Sequence, residues 1–416
     1  MYKSGDYKPY LFKTKDYGKT WTRIVEGIKL DHFTRVIRAD LSRPGLLYAG
    51  TEFGMYLSFD DGANWQSFQL NLPIVPITDL TIKNNTLIAA TQGRSFWLVD
   101  DLTPLHQLND QVTSAKVHLF KPMDAYRMNG GGFSRRDGGV TSGTNHPGGV
   151  IIQYYLDEEP GAKDTVELEF SDDKGRKIIT LSNHAKERVN QITVTKGGNQ
   201  TNWNLMYPAA ENFEGMILWA ATLSGPKATP GDYKVTLRYK GVVQTQDFKV
   251  IKDPRTTATL EDIQKQFDFV DGIGKKLTET HRIINEIRSV KSQMKNYQNL
   301  IEGRNDLMEI TQKMKNIDSV ITKIEESLYQ TKNQSGQDPL NFPIRLNNKL
   351  ASLNAMVMGN DFPPTDQAVA VRDEIASLID TELTKFRQTI NTEVQALNTL
   401  IRTKGVDAIL LKPKKN

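Results

Sequence analysis

Three textures of hydrophobic and polar positions follow one another along this chain. Over roughly the first hundred residues, short apolar runs alternate with turn clusters. Tyr10-Leu11-Phe12-Lys13, Arg35-Val36-Ile37-Arg38, residues 46–51, Met55-Tyr56-Leu57, residues 65–70, Asp79-Leu80-Thr81-Ile82 and residues 86–91 each read as a strand. Gly, Pro, Asn and Asp punctuate them. From Gly149 to Pro254 the alternation is closer to strict period two, over 150–156, 165–170, 177–181, 202–205, 216–221, 233–239 and 242–251. Strands so dense, with turns such as Asp172-Asp173-Lys174-Gly175, predict an immunoglobulin- or fibronectin-like β-sandwich over 149–254. After Pro254 the period changes to three and four: Leu260, Ile263, Phe267, Val270, Ile273 and Leu277 begin a stripe that continues through Ile310, Ile317 and Ile324. Residues 255–416 are therefore expected to form an antiparallel helical bundle, with Thr365 capping a helix after Pro363-Pro364. A partner coiled coil is the second choice for 260–301, because matched e/g charge alternation is absent.

One turn occurs twice. Thr14-Lys15-Asp16-Tyr17-Gly18-Lys19-Thr20-Trp21 returns 44 residues later as Ser58-Phe59-Asp60-Asp61-Gly62-Ala63-Asn64-Trp65. Each copy follows an aromatic-rich strand. The Asp carboxylate can accept main-chain N–H groups, Gly allows a conformation that a Cβ obstructs, and Trp covers the hairpin. Leu47-Tyr48-Ala49-Gly50-Thr51-Glu52 also aligns with Leu87-Ile88-Ala89-Ala90-Thr91-Gln92. After a one-residue insertion, Met55-Tyr56-Leu57-Ser58 aligns with Phe96-Trp97-Leu98-Val99. The third turn is worn: Asp100-Asp101 remains, followed by Leu102-Thr103-Pro104-Leu105. A period of roughly 40–45 residues made of short strands is the signature of a β-propeller blade. Residues 1–120 are expected to form a partial propeller of about three blades, with 117–120 as the closing strand of the last. Open blades leave unpaired edges, so the chain reads as the C-terminal part of a larger array whose other blades precede Met1. Residues 121–148 read as a Gly-rich linker, since no strand–helix context accompanies the glycines.

The two turns resemble the Asp-box, or BNR repeat, of sialidases, other glycoside hydrolases and sortilin-type receptors. The resemblance implies that Asp16, Gly18, Trp21, Asp60, Gly62 and Trp65 are folding elements remote from any ligand. Together with Gly50-Thr51-Glu52-Phe53-Gly54-Met55-Tyr56, Ala90-Thr91-Gln92-Gly93-Arg94-Ser95-Phe96-Trp97 and Gln337-Asp338-Pro339-Leu340-Asn341, the whole chain resembles the C-terminal half of large bacterial sortilin-like BNR propeller proteins, often labelled glycosyl hydrolases. That likeness implies a secreted, periplasmic or envelope-associated protein, and it carries no sialidase catalytic motif onto these residues.

Composition narrows the chemistry further. A formal charge of +4 with 25% charged residues gives no reason to expect nucleic acid, and Lys412-Pro413-Lys414-Lys415 reads as a solvated terminus. There are no cysteines, which removes disulfides, thiolate catalysis and Cys-ligated zinc. No run approaches the ~18 apolar residues of a transmembrane helix, and the N-terminus lacks signal-peptide texture. No cofactor is implied. With six scattered His and no H-E-x-x-H, no metal site is implied either.

Strand direction places the candidate ligand residues. Blade strands alternate, so the Asp turns share one end of the sheets and ligands meet the other. That other end should carry Asp31, His32, Glu52, Phe53, Gln92 and Arg94. Binding of a peptide or glycan is the expected use. The alternative is glycoside hydrolysis, which needs two carboxyl groups flanking one bond; here its acid and base would lie mainly upstream. A structural envelope protein is a further alternative. Glu52 and Arg94 also read as simple solvated or paired strand-end residues, and His281 and His184 as surface or partly packed ones.

Overall fold

The computed structural model describes residues 2–128 and 143–405. Half of the expected Gly-rich linker 121–148 (residues 129–142) and the basic terminus Lys412–Lys415 lie outside the described residues. Of the described half, Ala125–Arg127 is not linker but a strand paired with Val250–Lys252. The chain is a mixed β and α protein with its long helices at the C-terminal end.

Strands β1 (Phe12–Lys13) and β2 (Thr22–Arg23) form an antiparallel hairpin around the first Asp turn. Strands β3 (Thr34–Ala39), β4 (Leu47–Thr51), β5 (Gly54–Ser58) and β6 (Gln66–Ser67) follow as an antiparallel meander. The strand expected over 65–70 is thus only two residues long. Strands β7 (Ile77–Lys83), β8 (Thr86–Thr91) and β9 (Phe96–Val99) make a third, three-stranded sheet. The two central strands of the middle sheet, β4 and β5, are buried on both faces. Leu47, Ala49, Tyr56 and Trp65 meet Leu11 and Ile28 of the first hairpin. Tyr48, Met55 and Leu57 meet Ile77, Leu80 and Leu87 of the third sheet. Gly50 permits that second contact, because a Cβ there would lie 2.7 Å from Ile77 and Val36.

The two Asp turns have the same internal bonding. Asp16 accepts from Thr20 N at 2.8 Å and Thr20 Oγ1 at 2.7 Å, while Gly18 N donates to Thr14 Oγ1 at 2.8 Å. Asp60 accepts from Asn64 N at 2.8 Å and Asn64 Nδ2 at 2.7 Å, and Gly62 N donates to Ser58 Oγ at 3.0 Å. Tyr17 and Asp61 sit at φ 59° and 60°, with Gly18 and Gly62 following at 90° and 89°. The worn third turn behaves otherwise. Asp101 accepts from Thr103 N at 2.8 Å and starts a short helix α1 (Thr103–Gln107) in place of a hairpin, and α2 (Asp110–Thr113) follows.

The next strands are β10 (Val117–Leu119), β11 (Ala125–Arg127), β12 (Val150–Leu156), β13 (Glu167–Asp172), β14 (Lys177–Ser182), β15 (Gly197–Trp203), β16 (Gly231–Tyr239) and β17 (Val242–Lys252). They form two sheets, ordered β10-β12-β15 and β11-β17-β16-β13-β14. The sheets share one core around Phe170, Trp203, Tyr233 and Phe248. Residues 117–120, expected to close the last blade, instead pair with β12, Val117 opposite Leu156 and Leu119 opposite Tyr154. The reason is side-chain burial: Val117 and Leu119 point into the core of these two sheets, not toward β7–β9. The strand expected over 202–205 begins earlier, at Gly197.

Residues 216–221, expected as a strand, are not one. The stretch is irregular, entered by a turn at Gly215 and bent at Ala220 (φ 45°), and Met216, Leu218, Ala221 and Leu223 pack on the helical core. Helices α3 (Leu260–Leu300), α4 (Met308–Leu328), α5 (Leu346–Val357), α6 (Asp366–Thr389) and α7 (Gln395–Thr403) supply the rest of that core. Thr259 caps α3 in a capping box with Asp262. Side chains of α5 replace the ladder a strand would have had. Asn348 accepts from Trp219 N at 2.7 Å and donates to Trp219 O at 2.9 Å, and Asn354 donates to Ser224 O at 3.0 Å. His281, read as a surface or partly packed residue, is fully buried. It lies edge-on to Phe213 at 5.2 Å and bonds the Glu211 carbonyl at 2.5 Å. The sheets and helices are thereby joined through 206–224, a loop between β15 and β16.

Candidate ligand-binding site

The ends of the first sheets opposite the Asp turns carry a cluster of aromatic and charged side chains. Glu52 and Phe53 lie in the tight connection from β4 to β5. Thr51 Oγ1 accepts from Phe53 N at 3.1 Å and donates to Gly54 O at 2.9 Å. Gly54 takes φ 109°, and a Cβ there would strike the Gln69 amide. This fixes the Phe53 ring against His32 with centroids 4.9 Å apart. His32 Nδ1 in turn meets the Tyr56 hydroxyl at 2.9 Å. Burial lowers the His32 pKa, partly opposed by Asp31, whose carboxylate stands 3.9 Å from Nε2. His32 is therefore mainly neutral at pH 7.

Beside this trio, Arg35 donates from Nε to Glu52 at 2.6 Å. Its guanidinium also lies over Phe33 at 5.3 Å and Tyr2 at 5.9 Å. Tyr2 stacks on Phe33 with centroids 4.8 Å apart, and Tyr7 tilts toward the same ring at 6.1 Å. Tyr2, Tyr7 and Phe53 remain 45%, 54% and 42% exposed. The result is an open platform with ring faces available at its rim.

Gln92 and Arg94 occupy the equivalent connection, between β8 and β9, at the same end of the neighbouring sheet. Gln92 N donates to Pro76 O at 2.9 Å, and Arg94 O accepts from Trp97 Nε1 at 2.9 Å. Both side chains are exposed. Among the described residues, no hydrogen bond, ion pair or ring contact joins them to His32, Glu52 or Phe53. The candidates thus divide into Asp31, His32, Glu52 and Phe53, which come together, and Gln92 and Arg94, which stand apart. Sequence reasoning missed Tyr2, Tyr7, Arg35 and Tyr56. Tyr56 sits within an apolar run that reads as core, and the Tyr-rich opening carries no motif.

Asp16 and Asp60 contribute nothing to this platform. Their oxygens are occupied by their own turns, and those bonds hold Asp16 down to about 2 through the Thr20 main chain and hydroxyl first. Asp60 is likewise lowered, first by Asn64. Among the described residues no group of three or more His, Asp or Glu side chains is placed to hold a metal ion. No described helix is long and apolar enough to cross a membrane.

No family model matches the chain, and no curated protein matches it. Among solved structures it is similar to the extracellular domain of a hybrid two-component system from B. thetaiotaomicron, with 9% identity, a TM-score of 0.20, and coverage of 59% of this chain and 29% of that one. It is also similar to YCF48 bound to D1 peptide, with 14% identity, a TM-score of 0.18, and coverage of 58% of this chain and 60% of that one. The chain spans less than two thirds of the length of either.

Proposed function

We propose that the chain is an extracytoplasmic recognition protein of the Asp-box propeller type. Its platform around Phe53 and His32 binds an extended peptide or glycan without turning it over. The immunoglobulin-like sandwich and helical bundle then act as spacer and docking modules. One observation carries this reading: the exposed rings of Tyr2 and Tyr7 gather around Phe33 beside the Arg35–Glu52 ion pair, and the exposed Phe53 ring follows Glu52 directly, against His32. Exposed aromatic faces give stacking area for sugar rings or apolar side chains, and a fixed guanidinium adds orientation. Hydrolysis of a glycosidic bond would need a second carboxyl group facing Glu52 across the bond. Among the platform residues described above, the other carboxylate is Asp31, which is engaged only at the His32 edge.

The test uses the full chain on glycan and peptide arrays together with a panel of chromogenic glycosides. Binding without turnover, lost on Phe53→Ala, supports recognition. Turnover abolished by Glu52→Gln would replace it with a glycoside hydrolase.

A further inference from the structure

Trp65 fills a slot built by the preceding hairpin. Its ring packs with Leu11, Ile24 and Ile28, its Nε1 donates to Ile24 O at 2.9 Å, and its N donates to Glu26 O at 2.8 Å. Shifted by one repeat, the residues that build the slot become Phe68, Leu70 and Leu72. These residues do line a groove, closed on its other side by Leu87, Ala89 and Trp97. No described side chain takes the place of Trp65 there, because the chain turns at Asp101 into α1 instead of returning as a fourth strand. The space left is about 30 Å³, so an entering ring must move the exposed Leu70 and Leu98 aside. No described group donates to Phe68 O or Leu70 O, the counterparts of the two carbonyls that receive Trp65.

The adjoining strand edge is open as well. Strand β9 pairs only with β8 among the described residues. Thr91 N donates to Ser95 O, so the hydrogen-bonded pairs of this ladder are 91/95, 89/97 and 87/99. The N–H and C=O groups of Phe96 and Leu98 therefore face outward. In β5 the aligned residues are Met55 and Leu57, and Phe68 N donates to Met55 O at 2.9 Å across that same edge. Phe96 and Leu98 are 69% and 55% exposed, whereas Met55 and Leu57 are 4% and 3% exposed.

The geometry points to a second binding site, separate from the Phe53 platform: β9 accepts an extended peptide as an added antiparallel strand, and a Trp of that peptide enters the Phe68–Leu72–Trp97 groove. The occupant is specified by the molecule itself, since residues 65–68 cover the equivalent edge and slot one sheet earlier. Main-chain pairing supplies affinity in such strand addition, and a pocket for one side chain supplies selectivity.

A synthetic peptide carrying residues 58–70, titrated into the full chain by calorimetry, is the probe. The expected result is one-to-one binding that weakens about tenfold or more when the peptide's Trp65 is replaced by Ala. Leu98→Pro in the chain should abolish it by removing one outward N–H, while Phe53→Ala should leave it unchanged. Amide exchange at Phe96 and Leu98 should slow in the unsubstituted chain when peptide is added, which keeps the test valid if Leu98→Pro misfolds. No heat at millimolar peptide, equal binding of the Trp65→Ala peptide, or unprotected Phe96 and Leu98 amides would each overturn the proposal.

Discussion

Trp65 donates its indole N–H to the main-chain carbonyl of Ile24, 2.9 Å away and 41 positions earlier in the chain. The same bond in the first copy is turned inward: Trp21 donates to Gly18 O of its own turn at 3.2 Å. One motif thus holds two different energetic positions. Trp65 is 4% exposed and Trp21 is 59% exposed. Trp65→Ala should cost about 3–5 kcal/mol, the range for deleting a buried large aromatic. Trp21→Ala should stay within about 1 kcal/mol, as expected for a mostly exposed residue. Urea unfolding of the full chain followed by circular dichroism separates the two.

The Asp turns should resist acid to an unusual depth. A carboxyl whose folded pKa lies below its unfolded one adds stability that is present above the unfolded value and lost as pH falls toward the folded one. For Asp16 that window runs from about pH 4 down to about 2. The amide shift of Thr20, which donates to Asp16, should therefore hold constant to near pH 3 and then move. Movement beginning at pH 5 would contradict the bonding described.

Buried His281 sets a second pH window with its own sign. Burial lowers its pKa, with the Glu211 carbonyl opposing. Because the folded state favours the neutral ring, stability is complete above the unfolded value of about 6.5 and falls as pH drops below it. The urea midpoint should decline between pH 7 and 5, and His281→Gln should reduce that slope. His32 and His118 are also lowered by burial, so a residual slope is expected.

Arg127 joins the sheets to the helices. It is 3% exposed, donates from Nε to Ala228 O at 2.9 Å and from Nη2 to Gln266 Oε1 at 3.1 Å, and pairs with Asp361 through Nη1. Removing one member of such a pair strands the other. Arg127→Ala should therefore cost about 3–5 kcal/mol. Adding Asp361→Asn should recover part of the loss, and a double-mutant cycle on the urea midpoint measures how much.

What was legible in the sequence was local. The two Asp turns use side chains within eight residues, so their conformation follows from composition alone. Strands such as 150–156 and 233–239 were readable because one face is buried along their whole length. The helices were readable from their stripe, and Thr365 does accept from Ala368 N. Residues 216–221 misled because Met216, Leu218 and Ala221 look strand-like, while the decisive partners, Tyr329 for Ile217 N and Asn348 for Trp219 N, lie 112 and 129 residues away. Val117 and Leu119 read correctly as a strand but with the wrong neighbour, since local pattern does not encode pairing. At the candidate site, His32 and Phe53 were placed by strand direction. Tyr2, Tyr7 and Arg35 were not, because their meeting depends on how the chain before β1 folds back over Phe33.

The most direct measurement compares array binding by the unsubstituted chain, Phe53→Ala and Asp16→Asn. Hits retained by Asp16→Asn and lost by Phe53→Ala would match recognition at the end of the sheets away from the Asp turns. Hits lost by Asp16→Asn in a chain that stays folded, and kept by Phe53→Ala, would contradict it.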